Sequence, residues 1–129
     1  MGKFLQDINE ISYCQVSPGM FRLLSPLEYQ ISETEKIIIP SGYETDGYSK
    51  PQVTKALVDG SFGDDIRPAI IHDYLCEYHE FKNVYSGDIV KVSFKRANDI
   101  FYQAMTDIKM PLWKRIIYRI AVSFNPKKW

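Results

Sequence analysis

"KIIIPSGYETDGYSKP", Lys36 to Pro51, is the stretch on which the reading of the fold turns. It begins as a β-branched strand, "KIII", stopped by Pro40. It continues as a turn rich in glycine, tyrosine and carboxylate, and it delivers the chain to a proline that can open a helix. Upstream, "CQVS", "MFRLLS" and "EYQIS" are short runs split by Pro18-Gly19 and Pro26, the punctuation of mostly antiparallel strands. Downstream, apolar residues recur at three and four. A short helical element is predicted over Pro51 to Val58, followed by the Gly/Asp loop Asp59 to Asp65. A second helix should run from near Pro68 to about Phe81, with Ile71, Tyr74, Leu75 and Tyr78 as its stripe and with Asp64 and Asp65 complementing its positive end. After a loop around "NVYSGD", Ser93 caps a helix whose stripe is Phe94, Ala97, Phe101, Ala104, Met105 and Ile108. A last helix starts near Pro111, carries Leu112, Ile116, Ile117, Ile120 and Phe124, and stops before Pro126.

This order predicts an α+β domain: a small N-terminal antiparallel sheet with three to four C-terminal helices packed on one side. One domain is expected over residues 1–129, β-rich over 1–47 and helical over 51–125, because 129 residues with 45% hydrophobic content suit a single core.

Sixteen basic and sixteen acidic residues cancel, so the overall charge does not point to a nucleic acid partner. Cys14 and Cys76 are too few for a disulfide framework or a four-ligand zinc site. "MGKFLQDINEIS" lacks the pattern of a signal peptide, and no apolar stretch approaches the ~20 residues of an integral membrane segment.

His72-Asp73, in "AIIHDYLCEYHE", is the most informative pair: histidine titrates near neutral pH, and a neighbouring carboxylate can bind a cation or orient water. Adjacent helical side chains diverge by about 100°, so the pair can flank a cleft rather than share one metal, while the commoner arrangement is a half-buried polar step with His72 bonded to a nearby carbonyl. An antiparallel return could set Asp99, in "RANDIFYQAM", against His72 and fix its tautomer. The helical wheel opposes this, turning Asp99 away from the stripe and toward Lys95, where a solvated ion pair is worth ~0.3–0.5 kcal/mol. His72, Cys76 and His79 follow at i, i+4 and i+7, but without a fourth ligand they do not make a zinc site. From Lys109 to Trp129 the chain is basic and aromatic with no acidic residue. Such a helix either packs with a solvated basic face, the commoner arrangement, or rests on anionic lipid or an acidic partner.

At "IIIPSGYETDGYSKP", "AIIHDYLCEY" and "RANDIFYQAM" the sequence resembles a family of small uncharacterised proteins of tailed phages and prophages. The family pattern falls on Pro40, Gly42, Tyr43, Thr45, Asp46, Ser49, Pro51, His72, Asp73, Leu75, Arg96, Asp99, Phe101 and Met105. Gly47-Tyr48 and Cys76 depart from it. The resemblance implies a phage setting: host cytoplasm or virion, with a phage or host protein as a partner.

The His-Asp pair is also similar to the site of calcium-dependent secreted phospholipases. That likeness implies His72 as base, Asp99 as its orienting residue, Asp73 and Asp46 as calcium ligands, and a lipid or cell-envelope ester or amide as substrate. Thr45, Ser49 and Arg96 would support the site. Two readings are open: a cation-assisted hydrolase, and a non-catalytic virion or host-interaction protein in which the same residues form a structural network.

Overall fold

The computed structural model describes residues 2–4, 13–17, 20–45 and 66–123. Among these residues eight strands come in three groups, every pairing antiparallel. β1 (Lys3–Phe4), β4 (Leu27–Gln30) and β5 (Lys36–Ile39) form one sheet in the order β1-β4-β5. β2 (Tyr13–Ser17), β3 (Met20–Leu23) and β6 (Glu44–Thr45) form a second, in the order β2-β3-β6. β7 (Glu80–Lys82) and β8 (Ile89–Lys91) make a hairpin. Three helices are described: α1 (Arg67–Tyr78), α2 (Phe94–Asp107) and α3 (Leu112–Ser123).

The α+β class is as expected, with strands mostly first and helices after them. Period-two alternation makes the central strands. Leu27 and Tyr29 point inward from β4, Ile37 and Ile39 from β5, while Ile38 faces out. The expected single sheet is instead two. β3 and β4 follow one another in sequence without pairing, and Pro26, which has no N–H to give to a ladder, stands at their junction.

The second correction lies at the end of α1. The helix stops at Tyr78 rather than Phe81, because His79 takes a left-handed backbone (φ 58°) and closes the last turn by donating its N–H to the Leu75 carbonyl. Glu80-Phe81-Lys82 then alternates as a strand, with Phe81 buried. The segment around "NVYSGD" is therefore a hairpin turn, with Gly87 at φ 77°.

α2 is the pivot of the packing. Ser93 caps it as expected, its hydroxyl accepting from the Arg96 N–H at 3.1 Å. Ala97, Ile100, Phe101, Ala104 and Met105 are buried, and α1, α3 and β1 all touch the helix. Polar ties hold α2 to the first sheet and its β4–β5 turn: Arg96 to Glu35, Gln103 to the Ile31 carbonyl at 2.8 Å and to the Tyr29 hydroxyl at 2.9 Å, and Asp107 to the Tyr29 hydroxyl. Their order shows that α2 runs against the direction of β4. One core joins Leu27, Tyr29, Ile37 and Ile39 to Ile70, Ile71, Leu75, Phe101 and Met105.

The expected stripe of α3 is split: Ile117 packs against this core, and Phe124 lies outside the described residues. Leu112, Ile116 and Ile120 are exposed, and Tyr118 is the buried residue of the helix. The expected helix over Pro51 to Val58, and Asp64 and Asp65 before α1, lie outside the described residues.

Candidate functional site at the seam of α1 and α2

α1 enters the core at once: Pro68, Ala69, Ile70 and Ile71 are all buried, Pro68 standing in the first turn where its missing N–H costs no hydrogen bond. His72 follows on the side that meets α2. Its Nε2 lies 2.8 Å from Asn98 Oδ1, and its ring stacks on Phe101 with centroids 4.5 Å apart and planes inclined by 28°. An amide oxygen can only accept, so Nε2 carries the proton and Nδ1 is the basic nitrogen. Cys76, one turn further along α1, brings Sγ to 3.4 Å from Nε2 and 3.8 Å from Nδ1.

The expected bond between His72 and Asp99 is not formed. Asp99 Oδ2 accepts from Lys95 Nζ at 2.8 Å, and Oδ1 lies 3.6 Å from Arg119. The reason is angular. Asn98 is four residues after Phe94 and three before Phe101, so it flanks the buried stripe, whereas Asp99 is a further 100° around the helix. The same period that identified the stripe could have identified Asn98.

Arg96 serves a different junction. It pairs with Glu35 in the β4–β5 turn, and its guanidinium lies 6.0 Å from the Phe81 ring centroid. Thr45 is fully buried at the end of β6, opposite Phe21. Tyr43, two residues earlier, meets Tyr74 edge-on at 5.4 Å and Tyr78 at 6.5 Å, tying the β5–β6 turn to α1. Burial raises the Tyr74 phenol above its ordinary value, with Tyr78, Glu80 and Glu77 adding to the shift. Asp73 is half-buried beside His72. Asp46 and Ser49 lie outside the described residues.

Cys76, His72 and Asn98 are the residue types of a thiol-hydrolase triad, but they are not wired as one. Sγ comes nearest to the nitrogen that already serves Asn98, and Cys76 is only 8% exposed. Cys14 and Cys76 are both free thiols. Among the described residues no three His, Cys, Asp or Glu side chains converge as a metal site, so the calcium ligand set is not assembled from them. His79, the far member of the i, i+4, i+7 series, stands past the end of α1, whose last turn its backbone N–H closes.

A family of proteins of unknown function, DUF1353, matches residues 21–122, which takes in the described strands from β3 onward and the three described helices except Met20 and Ser123. The chain belongs to the DUF1353 family. No curated protein and no solved structure matches it. The DUF1353 region thus contains the whole His72–Asn98 seam together with Thr45, Asp73, Arg96 and Asp99. No helix of the described residues is long and apolar enough to cross a membrane.

Proposed function

We propose that this DUF1353 protein is a phage-encoded hydrolase of a lipid or cell-envelope ester or amide, with His72 as the base that activates water. The observation that carries the reading is the Nε2–Asn98 bond. It fixes the tautomer in which Nδ1 can take a proton, as an orienting residue does in histidine-dependent hydrolysis. In that reaction Nδ1 accepts a proton from water, the hydroxide adds to the substrate carbonyl, and the imidazolium returns the proton to the departing alcohol or amine. An amide orients the ring but brings no negative charge, so Asn98 supports the imidazolium less than a carboxylate would. Asp73 and Asp46 are the carboxylates proposed to hold calcium, while both proton transfers run through His72. The test is an ester-hydrolysis assay on wild type and His72→Ala, with and without added calcium. Activity that depends on His72 supports the reading, and equal rates in both proteins would sink it.

A second reading rests on the stacking of His72 against Phe101. The seam is then a structural network in a non-catalytic virion or host-interaction protein. His72→Ala would lower the melting temperature with no hydrolysis to lose.

A further inference from the structure

α3 is docked by a mixed face, on which Ile117, Tyr118 and Val122 pack against the core beside two arginines. Arg115 reaches inward, its Nε donating to the Met110 carbonyl at 2.9 Å and its Nη1 to Thr106 Oγ1 at 3.0 Å and to the Tyr102 hydroxyl at 3.3 Å. Arg119 stacks over the Tyr102 ring at 4.9 Å, and Tyr118 is buried beside them. The opposite face consists of Leu112 (56% exposed), Trp113 (52%), Ile116 (45%) and Ile120 (51%), spaced by three and four along one stripe. Four large apolar side chains in a row on a surface helix are a contiguous patch, whereas scattered exposed ones need no explanation.

The charge around this stripe decides what would cover it. Lys109, Lys114, Arg115 and Arg119 lie on or beside the helix, and no acidic residue occurs from Lys109 to the end of the chain. Arg119 borders the stripe beside Leu112 and Ile116, and Lys114, one residue after Trp113, carries its Nζ to 5.7 Å from the Trp113 ring centroid. A second copy laid against the stripe would set these cations against their own equivalents, which disfavours self-association. Apolar residues in the middle, a tryptophan at the margin and cations beside it suit a helix lying in the headgroup layer of an anionic bilayer.

We propose that α3 is a membrane-surface element that seats Leu112, Trp113, Ile116 and Ile120 in an anionic lipid surface, with Lys109, Lys114 and Arg119 at headgroup level. It does not depend on hydrolysis, so His72→Ala binds as wild type does.

Co-sedimentation of the full chain with vesicles of phosphatidylcholine containing roughly one third phosphatidylserine tests this. Binding should weaken as salt rises to about 0.5 M, where screening shortens the reach of the cations. Ile116→Ser with Ile120→Ser should lower vesicle affinity at least tenfold while leaving the circular dichroism melt unchanged, since both positions are already exposed. Lys114→Gln should lower affinity about fivefold, the factor contributed by one cation near an anionic surface. It provides a second measurement if the double variant folds poorly. The proposal is overturned by no binding to these vesicles, by equal binding to pure phosphatidylcholine, or by sedimentation showing a dimer that the double substitution dissolves.

Discussion

His72 on α1 and Asn98 on α2 are joined across the helix seam by a 2.8 Å hydrogen bond from Nε2 to Oδ1. Removing Asn98 leaves a half-buried imidazole N–H without its acceptor. Asn98→Ala should therefore cost about 1 kcal/mol, seen as a fall of roughly 3–5 °C in Tm. Asn98→Asp keeps the acceptor and adds a negative charge, which favours the imidazolium. NMR titration should show the His72 midpoint rising, and the acid limb of any hydrolysis profile, where the base loses its proton, should move to higher pH with it.

Asp99 should behave differently from its neighbour. Its partners are Lys95 and Arg119 at the surface, and exposed pairs of this kind contribute ~0.5 kcal/mol or less. Asp99→Asn should leave Tm within 2 °C or so of wild type and the His72 titration unmoved. A loss of hydrolysis matching that of His72→Ala would restore Asp99 to the site.

Asp107 carries a pH dependence of known sign. Burial raises its carboxyl above the ordinary value, opposed in part by the bond from the Tyr29 hydroxyl. The unfolded chain therefore holds fewer protons than the folded one over the window between the two values. The stabilising contribution is complete below the ordinary carboxylate value and is lost as pH rises through the raised one. Asp107→Asn still accepts from Tyr29 but has no charge to desolvate. Denaturant melts from about pH 4 to about pH 7 should show a flatter profile and no loss of stability at the neutral end.

Asn83 is a buried polar residue that local periodicity does not single out. Its Oδ1 accepts from the Lys36 N–H at 3.1 Å and the Tyr85 N–H at 3.2 Å, and its Nδ2 donates to the Thr34 carbonyl at 2.9 Å. One amide thus ties the start of β5 to the turn of the β7–β8 hairpin. Asn83→Ala orphans two backbone donors and one acceptor and should cost about 2–3 kcal/mol in urea unfolding. Asn83→Asp, which loses the donor and buries a charge, should do no better.

Gly2 sits where a side chain has no room. A Cβ there would lie 2.5 Å from the Gln30 carbonyl, the Tyr29 hydroxyl and Gln103 Nε2. Side chains can swing away, but the Gln30 carbonyl belongs to the backbone of β4. Gly2→Ala should displace β1 from its pairing with β4, read as faster hydrogen exchange at Lys3 and Phe4 and a loss of about 1–3 kcal/mol.

Features set by neighbours in the chain were legible before the tertiary structure. The alternation of "LEYQ" and "KIII" specifies which face of β4 and β5 is buried. The Ser93 cap and the spacing from Ala97 to Met105 specify α2, and β-patterns preceding helical ones specify the α+β order. Each depends on a period of two or of three to four, which the chain carries locally.

Where two elements must find each other, the local pattern was silent or misleading. The strands fell into two sheets because β3 and β4 choose different partners, a matter of long-range pairing. β7 and β8 exist as a hairpin because Phe81 has a core to enter and His79 ends the helix before it. Asp99 was one expected partner of His72 although the helical wheel already turned it outward, and the side of α2 that packs on α1 presents Asn98. α3 is the mixed case: of the stripe its sequence marks for burial, Ile117 packs on the core while Leu112, Ile116 and Ile120 stay exposed, and Arg115 and Arg119 find partners on Tyr102, Thr106 and Met110. Periodicity says that a helix has an apolar face. Only the competition among tertiary contacts decides whether that face turns toward the core or toward something outside it.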